Sequence, residues 1–253
     1  MSAKAPPLER YIRILEVLAA LPNGVGAGEL ASVLDLPRPT IHRLLGVLLD
    51  TRLVEQTVGN GYQLTDRVRH LAVLGLDERL LTPLLGPILK EVAEATSMTA
   101  YIGKIEGHKV VSLMMEAPEE LWRAFVLPGR AFAPHAAAGA KAILAYQPES
   151  LVRKALVEGG MAPFTRHTHT AVEQVLADLA AVRQRGYATC IREIDEELFA
   201  LAVPIFTVGD AVVMSLGITA PLARQPVEDM AETARHLAQY AERMGLLLRK
   251  RGA

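Results

Sequence analysis

Four side chains that can bond to nucleic acid stand close together in the segment 38–43, namely Arg38, Thr40, His42 and Arg43. Arginine can pair with guanine or phosphate, threonine can bond phosphate or pack on a thymine methyl group, and histidine can do either. Such a set is also common on a solvated helix face that binds nothing. The surrounding elements must therefore decide whether these side chains form a site.

The segment that carries them has an apolar stripe at helical spacing. Its members are Ile41, Leu44, Leu45, Leu48 and Leu49. Residues spaced by three and four share one helix face, so the polar set projects from the other side. Pro39 suits the first turn, where its missing N–H costs no hydrogen bond. The pattern predicts a helix that begins at Arg38 or Pro39 and runs to Leu49, with an exposed polar start.

Two more helices are predicted before this one. Apolar residues at spacings of three and four predict a first helix over 8–21. Its apolar stripe consists of Leu8, Ile12, Leu15 and Leu18. A short second helix is predicted around Leu30, Ala31 and Leu34, and a turn over 35–37 separates it from the third.

Two short strands are predicted after the third helix, over 53–56 and 62–64. Gly59-Asn60-Gly61 lies between them and favours a hairpin turn. Three short helices followed by a hairpin are the order and spacing of a winged helix-turn-helix, predicted here over 8–65. In that context a polar helix start is a site for DNA contact.

The remainder of the chain changes to mixed strands and helices. Helices are predicted over 66–76, 80–95, 136–146, 149–157, 172–184 and 227–248. Strands are predicted over 99–104, 109–115, 121–127, 188–193, 200–206 and 211–218. Because the first three strands lack helical crossovers, a mostly antiparallel sheet with helices packed on it is favoured.

Motifs along most of the chain resemble those of one known family, in its order and spacing. In the N-terminal part the matching segments are Arg13–Leu18, Glu29–Ala31, Leu36–Pro37, Thr40–Leu45 and Gly61–Leu64. Further on they are Pro134–Ala145, Phe164–Thr168 and Arg183–Ala188. From about residue 9 to residue 248, the chain resembles the IclR family of transcription regulators.

The resemblance implies an α+β protein: a winged helix-turn-helix over 8–65, a linker helix over 66–78, and a GAF-like, profilin-like effector-binding domain over 79–250. Such regulators bind double-stranded operator DNA as a homodimer or a dimer of dimers, and often sense small carboxylic or aromatic acids. Both repressors and activators are known. The DNA-binding residues carried over are Arg38, Pro39, Thr40, His42 and Arg43, with Pro39 standing where the family often has serine.

The resemblance also places an effector site. Ala138 and Gly139 form the effector-facing pair, at a helix start whose N–H groups suit a carboxylate. The small residues around them equally suit close packing of the helix on the sheet. Ala124, Phe125 and Phe132 lie on the facing strand and loop, where Trp122 can add an apolar wall.

Three further residues line the effector pocket by the same resemblance, Cys190, Leu198 and Ala200. Family members that sense a small oxoacid typically have acidic or thiol groups at the positions of Cys190 and Ala200, and glycine where this chain has Glu197. These departures predict a less polar pocket and a bulkier or aromatic effector. Cys190 is interpreted as a small buried apolar residue in preference to a reactive thiol.

Composition limits the partners and the compartment. The net charge is −1, and residues 1–70 carry eight Lys/Arg against seven Asp/Glu, so any DNA contact must come from a local cluster. The single cysteine excludes an intrachain disulfide and a Cys-rich zinc site. No apolar run reaches the roughly 20 residues of a membrane span. A cytoplasmic protein without membrane contact is predicted.

Two other function classes stay open. An enzyme could use Cys190, His135 and Asp195 as nucleophile, base and orienting acid, although no G-x-S-x-G, P-loop or H-E-x-x-H motif is present and catalysis is not favoured. A protein-interaction module built on the winged domain is the second alternative. His167 and His169 suit either a metal site or capping residues ahead of a helix, and capping is favoured. No cofactor and no metal are predicted.

Overall fold

A computed structural model describes residues 6–21, 23–118, 126–207, 211–224 and 230–251. The chain forms two compact units. The first comprises the residues up to Gly75 together with the chain from Leu248 onward, and the second is Leu76–Leu247. The helix that the sequence predicts as a linker thus belongs with the first unit.

The first unit is a winged helix-turn-helix, as predicted. Its elements are α1 Pro7–Ala20, α2 Ala27–Leu34, α3 Arg38–Asp50, β1 Val54–Gln56, β2 Tyr62–Leu64 and α4 Asp66–Leu74. The two strands pair antiparallel, with Val54 opposite Leu64, and Val25 adds an isolated bridge to Tyr62. The hairpin therefore lies against the chain between α1 and α2.

One apolar core holds the three helices together. Ile14, Leu30, Ile41, Leu44 and Leu45 are each at most 2% exposed. Burying a side chain of this size contributes about 2 kcal/mol, so a few such residues stabilise a small unit. The apolar stripe predicted for α3 is confirmed, because Leu48 is buried as well and Leu49 packs partly buried against the same core.

The stripe predicted for α1 is partly wrong. Leu8 is 69% exposed and Ile12 is 42% exposed, whereas Ile14 and Leu18 are buried. The face of α1 that meets the core is centred on Ile14, so the predicted stripe was rotated toward solvent. When a helix carries more apolar residues than one stripe needs, its sequence is compatible with more than one buried face. The elements that pack against it determine which face is buried.

The turn between α2 and α3 sets the direction of the third helix. Asp35 ends α2 in the left-handed conformation with φ 52°, and its N–H bonds back to the Ala31 and Ser32 carbonyls. Aspartate tolerates this conformation better than most residues. Pro37 then lies immediately before α3 as its N-cap residue. The predicted turn over 35–37 is confirmed.

The second unit contains the remaining elements, apart from the end of the last helix, from Leu248 onward, which is grouped with the first unit. They are α5 Glu78–Thr96, β3 Thr99–Glu106, β4 Lys109–Glu116, α6 Ala138–Leu144, α7 Glu149–Gly159, α8 Val172–Arg185, β5 Ala188–Ile191, β6 Leu198–Phe206, β7 Val212–Pro221, a short 3-10 turn Leu222–Arg224, and α9 Met230–Arg251. Within the described residues, none of the helices has the length and hydropathy to cross a membrane.

The strands form one sheet in the order β4-β3-β7-β6-β5, and every described pair is antiparallel. The predicted antiparallel sheet is confirmed. Most of the strand predicted over 121–127 lies outside the described residues. The strand predicted over 188–193 ends earlier, at Ile191, because Arg192 adopts a left-handed conformation with φ 61° and turns the chain.

The short helix α6 lies on this sheet and is buried along its whole length. It packs on β3, β4, β5, β6 and β7. The predicted helix began at Ala136, but α6 begins at Ala138, because Ala136 and Ala137 donate their N–H groups to the Ala133 carbonyl in a preceding turn. Small residues let the helix approach the strands closely, and the Ser215 hydroxyl donates to the Gly139 carbonyl at 3.0 Å.

Candidate nucleic-acid interface and ligand cavity

The start of α3 presents its polar side chains outward. Arg38, Pro39, His42 and Arg43 are exposed and Thr40 is half-buried. They lie on the face opposite the buried leucines, as the helical spacing requires. The structure thus brings together, on the first two turns of α3, all the residues that the sequence assigned to DNA contact.

Backbone donors are scarce at this helix start. The Thr40 and Ile41 N–H groups both bond to the Pro37 carbonyl, at 2.9 and 3.2 Å, and Pro39 has no N–H. Helix starts commonly bind phosphate through free N–H groups. Here only the Arg38 N–H is left at the tip of α3, so side chains must supply most of any contact to phosphate.

The two arginines are placed differently. The Arg38 guanidinium lies back over α2, where a Cβ added to Gly28 would be 3.4 Å from its Nη2 atom. Arg43 projects from the second turn of α3. A guanidinium held close to the protein suits a phosphate at the edge of a groove, and one that projects suits a base edge.

The hairpin loop is closed by hydrogen bonds and is uncharged. Thr57 closes it, donating its N–H to the Gly61 carbonyl at 2.9 Å and accepting the Gly61 N–H on its hydroxyl at 3.1 Å. Asn60 adopts the left-handed conformation with φ 59°. Val58 at the tip is fully exposed. Since residues 57–61 carry no charge, the loop offers shape and hydrogen bonds to a groove but no cation.

A cavity of about 320 Å³ opens in the second unit, on the sheet face beside the start of α6. From the strands and the turn after β5 it is lined by Tyr101, Cys190, Ile194, Leu198, Ala200 and Thr219. From the chain before α6 and from its first residue it is lined by Val126, Leu127, Arg130, Phe132, Ala137 and Ala138. Most of this surface is apolar.

The structure collects most of the predicted effector residues around this cavity. Five of them line it: Phe132, Ala138, Cys190, Leu198 and Ala200. Gly139 does not line it. Ala124, Phe125 and the apolar wall predicted at Trp122 lie outside the described residues.

Three strands supply the floor. Cys190, Ala200 and Thr219 are direct neighbours in register across β5, β6 and β7, so their side chains share one face. Tyr101 on β3 lies opposite Gly217, where an added Cβ would overlap its ring. Glycine at 217 is therefore what lets the tyrosine lie flat against the sheet and form one wall.

The Tyr101 ring also packs against Gly139 at the start of α6. A Cβ on Gly139 would lie 2.8 Å from Tyr101 Cε2 and 2.9 Å from Phe132 Cε2, and the Gly139 backbone hydrogen-bonds the tyrosine hydroxyl. Burial raises the pKa of Tyr101, which keeps the phenol neutral. The predicted carboxylate cradle at Gly139 is thus occupied by a side chain from β3, which no local sequence pattern could reveal.

Cys190 is a wall of the cavity and a poor nucleophile. Burial, reinforced by the nearby charge of Glu193, raises the pKa of its thiol to about 12. A neutral thiol neither attacks nor binds metal strongly. Cys190 therefore acts as a small apolar surface, in line with the interpretation from sequence.

A buried ionic cluster lies next to the cavity and was missed by the sequence analysis. Lys141 on α6 is 1% exposed, and its Nζ lies 2.8 and 2.9 Å from the two Glu193 carboxylate oxygens and 2.9 Å from Asp178. Arg185 contacts Asp178 at 3.5 Å. Burial raises the pKa of Glu193. The signal available was a single lysine within a run of alanine and glycine.

The same cluster bears on the metal interpretation. His169, Asp178 and Glu193 have ligand atoms within 4.8 Å of one another, but the Lys141 ammonium already supplies a cation to both carboxylates.

The capping role predicted for His167 and His169 is wrong, since Ala171 precedes α8 and no side chain caps it. Instead, the Thr168 hydroxyl donates to the Glu193 carbonyl at 2.6 Å and fixes this loop.

The three residues considered for catalysis have separate roles. His135 Nε2 lies 3.0 Å from the Ala162 carbonyl oxygen, and its ring stacks on Phe164 at 5.5 Å between centroids. Asp195 accepts the Glu197 N–H at 2.8 Å. Cys190 faces the cavity.

Comparisons with known proteins agree with this organisation. The model of the IclR helix-turn-helix domain matches residues 7–57, and the model of the bacterial transcriptional regulator IclR C-terminal domain matches residues 75–245. The chain is 29% identical over 238 residues to a Cupriavidus necator protein named as the transcriptional regulator SauR, covering 93% of this chain and 94% of that protein.

Solved structures of regulators share the fold. A Rhodococcus transcriptional regulator matches with a TM-score of 0.64 at 21% identity, covering 98% of this chain and all of that chain. An IclR homologue from Microbacterium hydrocarbonoxydans, solved in complex with 4-hydroxybenzoate, matches with a TM-score of 0.60 at 22% identity, covering 96% and 99%. The chain belongs to the IclR family of transcriptional regulators, with an N-terminal helix-turn-helix and a C-terminal effector-binding domain.

Proposed function

We propose that the chain binds operator DNA through the start of α3 and that a small molecule in the cavity modulates its activity. The observation that supports DNA binding is the exposed polar start of α3, whose opposite face is packed into the apolar core. In this proposal Arg43 reads a base edge and Arg38 binds a phosphate. Thr40 and His42 contact the DNA backbone or a neighbouring base, and Pro39 packs against the DNA backbone.

A homodimer or a dimer of dimers fits this mode of DNA binding. One α3 reads only a few base pairs, and regulators of this architecture place two recognition helices one or more helical turns apart. We assign the linker role to α4, through which a bound ligand would alter the spacing of the two helices. Such a regulator acts in the cytoplasm, where its DNA is, and needs no catalytic residue.

The cavity fits a small acid with an apolar body. Its lining is largely apolar, and a cavity of this volume is at the small end of ligand sites. The Microbacterium homologue in complex with 4-hydroxybenzoate supports a carboxylic or aromatic acid. We propose that Phe132, Ala138, Cys190, Leu198 and Ala200 contact the ligand, and that Gly139 shapes the cavity from behind the Tyr101 ring.

Footprinting of the DNA upstream of the chain's own gene tests both parts. The proposal predicts protected half-sites separated by about 10 base pairs or a multiple of that spacing. A ligand identified by thermal shift among small carboxylic and aromatic acids should change the footprint, the DNA bend or the recruitment of polymerase. Protection without periodic spacing, or a ligand that changes none of these, contradicts the proposal.

A further inference from the structure

The interior of the cavity has few polar groups left for a ligand. The Thr219 hydroxyl donates to the Phe199 carbonyl at 2.8 Å, and the Tyr101 hydroxyl is bonded by the Gly139 backbone. The Cys190 thiol stays neutral because burial raises its pKa. Since an unpaired polar group is costly to bury, the part of a ligand that enters the cavity must be apolar.

Arg130 differs from every other described residue that lines this cavity, because it alone carries a charge. Its side chain is exposed, which puts the guanidinium at the mouth. Among the described residues, no carboxylate forms an ion pair with it. A cation at the opening of an apolar cavity attracts an anion whose other end is apolar.

The backbone that carries Arg130 is held firmly. The strap 126–132 runs along the free edge of β4, where Gly129 donates to the Ser112 carbonyl at 2.7 Å and Ser112 donates to the Arg130 carbonyl at 2.9 Å. Phe132 donates to the Val110 carbonyl at 2.8 Å. These bonds fix where the arginine leaves the strap, so only its side chain adjusts on binding.

We infer that Arg130 is a ligand-binding residue and that the cavity takes a monocarboxylate with its ring or chain inward and its carboxylate on Arg130. The inference deepens the proposed function and depends on its effector site. The alternative anchor, the start of α6, is poorly available: Tyr101 stands against Gly139, and Ala137 donates its N–H to Ala133 at 2.9 Å.

Calorimetric titration of the full-length protein tests this assignment with four probes: benzoate, 3-phenylpropanoate, and the corresponding neutral amides. Each acid should bind wild-type protein about tenfold more tightly than its amide, because a charge-assisted hydrogen bond at the exposed mouth of the cavity contributes a modest part of the binding free energy. Arg130→Gln should remove this preference and leave amide affinity within about twofold. Arg235→Gln, at an exposed arginine of α9 outside the cavity, should preserve the preference.

Four results would overturn the inference. Equal affinity for acids and amides, or a preference that survives in Arg130→Gln, would remove Arg130 as the anchor. Tighter binding of the acids to Tyr101→Phe, combined with indifference to Arg130→Gln, would move the carboxylate to the start of α6. Failure of all four probes to bind would show that the ligand class is wrong.

The outcome is separable from that of the proposed function. Operator affinity is measured on the same preparations without ligand. An acid preference that depends on Arg130 in a protein with no operator affinity would uphold the ligand assignment and contradict DNA binding. Selective operator binding with no acid preference would uphold DNA binding and contradict the ligand assignment.

Discussion

Arg43 is exposed on the second turn of α3, and in the proposed function it reads a base of the operator. Replacing it with alanine should weaken operator binding by about 1–3 kcal/mol if it reads a base. Fluorescence anisotropy with operator DNA measures the loss. Arg235→Ala, a change of equal charge at an exposed position of α9, should leave affinity unchanged. An Arg43→Ala protein that binds as well as wild type would assign Arg43 to a solvated face.

Replacing Lys141 should lower the free energy of unfolding of the second unit. It holds the buried Glu193 carboxylate and the partly buried Asp178 carboxylate at 2.8–2.9 Å, and Lys141→Met would leave Glu193 without its ion-pair partner while Asp178 keeps Arg185. The expected loss is about 3–5 kcal/mol in the free energy of unfolding. The matched change Lys154→Met, at an exposed lysine 3.7 Å from Glu158, should cost less than about 1 kcal/mol. Equal effects in urea denaturation would mean that the cluster is not buried.

His135 makes stability depend on pH. Burial lowers its pKa, the charges of Lys141 and His169 act in the same direction, and the Ala162 carbonyl opposes them. Below its ordinary pKa of about 6.5, the unfolded chain binds a proton that the folded chain resists, so stability falls on acidification. Urea denaturation at pH 7.5 and pH 5.5 should show a larger loss for wild type than for His135→Gln. Equal losses would contradict this account.

These residues also show what the sequence could and could not reveal. The polar set on α3 was predictable, because helical spacing separates it from the leucines. Lys141 was not, because its partners Asp178 and Glu193 are 37 and 52 residues away. For the same reason, Tyr101 could not be foreseen against Gly139: local pattern specifies a face of an element but not the partner that meets it.

Among the elements, the hairpin between β1 and β2 makes the clearest prediction. Its loop carries no charge and Val58 is fully exposed at the tip. Val58→Lys should add a phosphate contact, which tightens operator binding at low salt and steepens the slope of log affinity against log salt by about 1. Val157→Lys, at an exposed valine of α7, is the control. An unchanged slope in Val58→Lys would place the hairpin away from DNA.

Element types were easier to predict than element ends. All the described strands and helices of the second unit were foreseen, yet β5 ends at Ile191 where Arg192 turns left-handed, and α6 begins two residues late. Both differences fall beside the cavity. They arise because tertiary contacts set the ends, whereas periodicity sets only the middle of an element.

At the scale of the whole molecule, the chain joins a DNA-binding unit to a sensor, and α4 ends where the second unit begins. The cavity is lined by residues of the strap, of α6 and of the turn after β5. Those three segments also hold Arg130, Lys141 and Glu193. The cavity and the buried cluster therefore share the same elements, so a ligand bound as proposed would act on the cluster through them.

A regulator that recognises a particular operator must distinguish it from other DNA. This is measured as the affinity of the full-length protein for the DNA upstream of its own gene and for a scrambled duplex of equal length, across a series of salt concentrations. We expect preference for the upstream DNA by a factor of about 10³ or more, with affinity for both falling as salt rises. Equal affinity for the two duplexes at every salt concentration would contradict it.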